Sequence, residues 1–79
     1  MSNLKIYKDS FSKGLGIDIK KITEKLKYND IPEWDSIGHM TLISTLEDKF
    51  KINIETDDIV EFSSFKKGIQ ILKKYKIKI

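Results

Sequence analysis

Apolar residues recur along this chain at helical spacing rather than at the two-residue alternation of strands. Leu4, Tyr7, Phe11 and Leu15 stand 3, 4 and 4 residues apart and fall in one narrow stripe at 100° per residue. They predict a first helix over about Ser2 to Lys13, with Gly14 and Gly16 bracketing its end. From Gly16 to Glu33 the period is lost, and Ile17, Ile19, Ile22, Leu26, Tyr28 and Ile31 lie scattered among lysines. Connections this long are uncommon in small domains. Two readings are open: Thr23 to Leu26 forms a short helical turn, and the segment crosses the bundle with its apolar residues turned inward.

The strongest pattern follows Pro32, in Glu33 to Phe50. Asp35 and Ser36 both carry the short oxygen-bearing side chain that satisfies the free N–H groups of a first helical turn, so the helix opens at one of them. His39, Leu42, Ile43, Leu46 and Phe50 form the core stripe. Ile37, Met40, Thr41, Ser44, Glu47, Asp48 and Lys51 fall on the opposite side, which places two apolar residues outside the core within a turn of Ser36. An ordinary surface helix is polar on that side.

After Phe50 the alternation Ile52-Asn53-Ile54 resembles a strand, but no second strand is available to pair with it, so an extended linker is expected. Thr56 then caps a short helix of about Asp57 to Glu61, with Asp57 and Asp58 in the first turn, where the helix dipole favours anions. Ser63 or Ser64 caps a last helix whose inward stripe is Phe65, Gly68, Ile69 and Leu72, flanked by Ile71 and Tyr75. The expected fold is all-α: a small helical bundle of three main helices plus one short one, in a single domain spanning residues 1–79.

Seventy-nine residues bury about 60–65% of the surface the unfolded chain exposes, enough for a small core but not for a deep catalytic pocket. No stretch is apolar for long enough to span a bilayer, and Met1 to Lys5 has no apolar leader character, so no membrane partner and a cytoplasmic location are expected. The absence of cysteine removes disulfides, thiolate nucleophiles and thiolate metal sites together.

The net charge of +3 is unevenly spread. Residues 1–30 carry seven lysines and four acids, residues 31–63 two lysines and eight acids, and residues 64–79 six lysines and no acid. All the cations are lysine, so the bidentate fork that arginine offers phosphate and guanine is missing. With an acidic centre, the pattern argues against a nucleic-acid partner. Lys73, Lys74 and Lys76 suit the C-terminal end of a helix without any ligand.

Asp35, Ser36 and His39 are the only acid, serine and histidine that fall together. Ser36 and His39 approach one another at i and i+3, but Asp35 precedes the helix and is poorly placed to orient the far side of the imidazole, and no glycine-rich turn offers an oxyanion hole. No enzyme is expected, nor a metal site, since one histidine without cysteine is a poor ligand set. The plain role for His39 is a partly buried ring with a local hydrogen bond. Ser36 is either a helix cap or a modification site, because the partial positive charge and free amides of a helix N-terminus suit a serine oxygen esterified to phosphate.

The run Asp35-Ser36-Ile37-Gly38-His39-Met40, followed by Leu42, Leu46-Glu47, Phe50, Ile52, Ile54, Ile59, Phe65 and Leu72, resembles the acyl carrier proteins over about residues 33–75. Isoleucine replaces leucine in the family's Asp-Ser-Leu. The resemblance implies that Ser36 carries 4'-phosphopantetheine, attached by a phosphopantetheinyl transferase that uses coenzyme A and a divalent metal. Acyl groups would ride as thioesters on the terminal thiol, which a chain without cysteine must import, and would be delivered to acyl-transferring or acyl-synthesising enzymes. It further implies a monomer, with Asp35 contacting the transferase, Ile37 and Met40 anchoring partner enzymes, Glu47 and Asp48 pairing with their cations, and Leu46, Ile54 and Ile69 walling an acyl-chain cavity.

Some residues depart from the pattern. Gly38 and Thr41 stand where fatty-acid carriers place acids, the ends are basic, and Trp34 precedes the Asp-Ser pair. These departures point to a specialised carrier serving a polyketide-like, amino-acyl or surface-glycan route. The alternative is a non-catalytic helical interaction module with an unmodified Ser36.

Overall fold

The computed structural model describes residues 2–79. Four helices follow in order: α1 Asn3–Leu15, α2 Ser36–Phe50, α3 Thr56–Glu61 and α4 Phe65–Lys74, with a short 3-10 turn at Ile19–Lys21 in the first loop. The all-helical bundle of three main helices and a short one is the architecture the periodicity predicts. Several boundaries differ, each for a local reason. Ser2 is the cap of α1 rather than its first residue, accepting from the Lys5 N–H, and the helix runs on through Gly14 to Leu15. Gly16 alone ends it, at φ 67, the left-handed conformation that glycine adopts without penalty. Gly14 lies inside the α1–α2 contact, where a β-carbon would stand 2.8 Å from the Leu42 Cα.

Leu4, assigned to the core stripe, is exposed, whereas Tyr7, Phe11 and Leu15 of the same stripe are buried. Thr56 opens α3 but does not cap it; Glu55 holds the cap position without a side-chain bond. Ser64 rather than Ser63 caps α4, accepting from the Lys67 N–H at 2.9 Å. In α4 the inward residues are Phe65, Gly68, Ile71 and Leu72; Ile69 is half-buried and Ile71 takes the place expected for it. Those two isoleucines sit at opposite edges of the stripe, so packing decides which turns in.

The core is strongly aromatic. Phe11 makes edge contacts with Tyr7 and Trp34 at centroid distances of 5.0 and 5.3 Å and tilted ones with Phe65 and Phe62 at 5.2 and 6.1 Å. Arrangements of this kind add about 0.5–1.5 kcal/mol per pair beyond area burial. The Tyr7 hydroxyl donates to the Phe65 carbonyl at 2.7 Å, and burial pushes its pKa well above the usual phenol value.

The long first loop crosses the bundle. Ile17, Ile22 and Leu26 are buried, and Thr23 to Leu26 makes only a turn, closed by Leu26 N–H donating to the Thr23 carbonyl. Two backbone bonds pin the loop to the α3–α4 connection: Phe65 N–H to the Leu26 carbonyl at 2.9 Å and Tyr28 N–H to the Ser63 carbonyl at 3.0 Å. The Ile52-Asn53-Ile54 linker forms no strand, and its Ile54 N–H donates to the Glu47 carboxylate at 2.9 Å. Among the described residues no helix is long and apolar enough to cross a membrane.

Candidate functional site

Asp35 takes the cap of α2. Its Oδ1 accepts the Gly38 N–H at 2.7 Å from an extended backbone, so Ser36 becomes the first helical residue and not the cap. Glycine is required two residues further on, since a β-carbon at position 38 would fall on the Glu33 carbonyl oxygen. The pre-helix strand of backbone therefore lies directly against the first turn. Ser36 is exposed, and among the described residues no hydrogen bond engages its hydroxyl.

Apolar side chains surround that hydroxyl where solvent reaches it. Ile37 is 77% exposed and Met40 55%, and across from them Val60 on α3 is 77% exposed. Between α2 and α3 a cleft of about 320 Å³ opens beside Ser36, lined by Tyr28, His39, Met40, Ile59, Val60 and Phe62 together with the two serines Ser36 and Ser63. The residues expected to wall an acyl cavity lie elsewhere: Leu46 and Ile54 are buried in the packed core and Ile69 is half-buried on α4. The cleft beside Ser36 is therefore separate from the three residues expected to wall an acyl cavity.

Of the two expected recognition carboxylates, Asp48 is exposed and Glu47 is half-buried, with one oxygen committed to the Ile54 N–H. Asp35 is likewise exposed but structurally engaged.

His39 makes no bond to Ser36. Its Nδ1 accepts from the indole Nε1–H of Trp34 at 2.9 Å, and its Nε2 lies 2.8 Å from the Ile59 carbonyl. Both ring nitrogens are thus used by the fold. The bonds reach 5 residues back and 20 residues forward, joining the pre-helix loop, α2 and α3, which is more than the local contact expected of this ring. Trp34, noted in the sequence only as distinctive, is fully buried.

On the other flank of α3, Asp58 accepts from Lys74 Nζ and from the Tyr75 hydroxyl, each at 2.6 Å. The Lys74 hydrogen bond, followed by that of Tyr75, holds the carboxyl below the usual carboxylate range despite its burial. The same pairing raises the Lys74 pKa, and Tyr75 is raised by burial and then by the Asp58 bond. Lys74 is therefore more than a charge at a helix end. Among the described residues no group of three acids or histidines is placed to hold a metal ion.

No known family model matches this chain, and no curated protein does.

Proposed function

We propose that this protein is a carrier whose Ser36 receives 4'-phosphopantetheine from a phosphopantetheinyl transferase and coenzyme A. One observation carries the reading: the Ser36 hydroxyl is exposed and uncommitted at the first position of α2, because Asp35 has taken the cap. A phosphate ester there sits at the positive end of a 15-residue helix dipole. The prosthetic group supplies the thiol that holds acyl cargo. The scaffold supplies exposure, orientation and recognition. Ile37, Met40 and Val60 offer partner enzymes apolar anchors around the attachment point, and Asp35 and Asp48 offer charges at the rim that act on association rate and register more than on affinity. With Gly38 and Thr41 on the helix and a lysine-rich C-terminal segment, the carrier serves a specialised biosynthetic route rather than general fatty-acid synthesis.

The test uses the absence of cysteine. After incubation with a transferase, coenzyme A and a divalent metal, a maleimide reagent is expected to label the protein with one equivalent per chain, and to label the untreated chain not at all. A chain that gains no thiol with several competent transferases is an interaction module, in which Ile37, Met40 and Val60 are the contact surface and Ser36 stays unmodified.

A further inference from the structure

The side chains of Trp34 and His39 and the backbone carbonyl of Ile59 form a relay whose chemistry permits one protonation state. Indole nitrogen is a donor only, so His39 Nδ1 must offer it a lone pair. The ring proton of the neutral imidazole then sits on Nε2 and donates to the Ile59 carbonyl. Proton uptake puts a hydrogen on Nδ1, and two donors then face one another across 2.9 Å. Trp34 is fully buried with no other acceptor, so its N–H is either left unsatisfied or leaves the site. Solvent protons reach the ring because His39 is half-buried and lines the open cleft.

Trp34 organises the backbone that presents Ser36. Its carbonyl accepts from Asn29 N–H at 3.0 Å and its own N–H donates to Ile31 at 3.1 Å, closing the loop that leads into the Asp35 cap. Its ring packs edge-on against Phe11 and Tyr28. We propose that Trp34 and His39 form a proton-sensitive latch, closed with neutral imidazole and released with imidazolium, that fixes the geometry of the loop preceding Ser36.

No carboxylate is placed to hold the imidazolium in its present position. From the first loop the ring meets the Tyr28 phenol edge-on at 5.5 Å, and Trp34 stacks on it at 6.2 Å. Phe62, beyond α3, meets it at 5.9 Å. At the cap of α2 the Asp35 carboxylate is bonded to Gly38 N–H; on α3 Asp58 is turned to Lys74 and Tyr75, and Asp57 and Glu61 are exposed.

The chain contains one tryptophan and one histidine, so each can be read without assignment ambiguity. In a pH titration of the full chain by NMR across the histidine range of about pH 5–8, the neutral form is expected to show Nε2 protonated and Nδ1 bare. Exchange protection of the indole N–H is expected to fall about fivefold on acidification, the equilibrium share of one lost hydrogen bond. The emission maximum of Trp34 should move to the red with the same midpoint as the His39 ring signals, and His39→Gln should abolish that pH response. Trp34→Phe gives a second arm: in wild type the Gly38 amide is expected to shift together with the His39 ring signals, and without the indole donor it should not. An indole signal that stays flat while His39 titrates, a proton on Nδ1 in the neutral form, or an unchanged pH response in His39→Gln would each overturn the latch. Its link to Ser36 rests on the carrier reading and is tested separately: the loading rate of wild type relative to His39→Gln should fall about fivefold toward the acid end, from the same lost bond. Absence of loading at every pH sinks the carrier reading and leaves the latch to the indole and imidazole signals.

Discussion

Asp35 and Ser36 share a sequence signature but divide the work. Both are good caps, so composition alone left the start of α2 open between them; the extended backbone at Asp35 and its bond to Gly38 N–H assign the cap. Asp35→Ala is expected to cost about 1 kcal/mol, read as a fall of about 4–8 °C in Tm for a domain of this size. Asp35→Asn keeps the cap and should hold Tm while slowing transferase loading, because it removes only the charge; equal loading of Asp35→Asn and wild type would deny Asp35 a role in recognition. Gly38→Ala is predicted to destabilise by about 1–3 kcal/mol, the usual range for overpacking, since its β-carbon has nowhere to go but the Glu33 carbonyl. The close approach at Gly38 was not visible in sequence, because it depends on how the preceding loop folds back.

At the scale of elements, α3 is the segment most dependent on side-chain ties. Six residues are too few to be helical alone, and it is held by the Ile59 carbonyl on His39 and by Asp58 on Lys74 and Tyr75. Asp58 has a lower carboxyl pKa folded than unfolded, so its contribution is complete above the ordinary carboxylate range and is lost as pH falls through the lowered value. Stability measured by denaturant should therefore decline on the acid side, and Asp58→Asn should flatten that limb while lowering stability at neutral pH. A limb of unchanged slope in Asp58→Asn would place the acid sensitivity elsewhere. A candidate cap at Thr56 and the acids after it located α3, but Asp57 and Asp58 look alike in sequence. Only the partners 16 and 17 residues away distinguish them. The same limit explains Ile69 and Ile71, two edge positions of one stripe separated by tertiary packing.

The whole molecule is a helical frame whose aromatic core joins three helical residues, Tyr7, Phe11 and Phe65, to two from the connections, Trp34 and Phe62. Helix number, order and the inward stripe of α2 were legible because 3.6-residue spacing persists over many turns there. Trp34 and Phe62 were not, because they sit in connections where no period exists to read, and each is buried by elements distant in sequence. Phe62 packs against Phe11, His39 and the space above Gly68, so Phe62→Ala is expected to cost about 3–5 kcal/mol. Against a total of about 5–15 kcal/mol for domains generally, that loss should broaden the unfolding transition and abolish the wall of the cleft beside Ser36. The frame thus holds the Ser36 hydroxyl free in a turn whose cap is taken by Asp35, amid exposed apolar side chains. Intact-mass measurement after incubation with a phosphopantetheinyl transferase and coenzyme A tests this most directly, with Ser36→Ala alongside. The expected result is a gain of one phosphopantetheine on the wild-type chain and none on Ser36→Ala, whose stability stays within about 0.5 kcal/mol of wild type; an unchanged wild-type mass, or an equal gain on both chains, would contradict it.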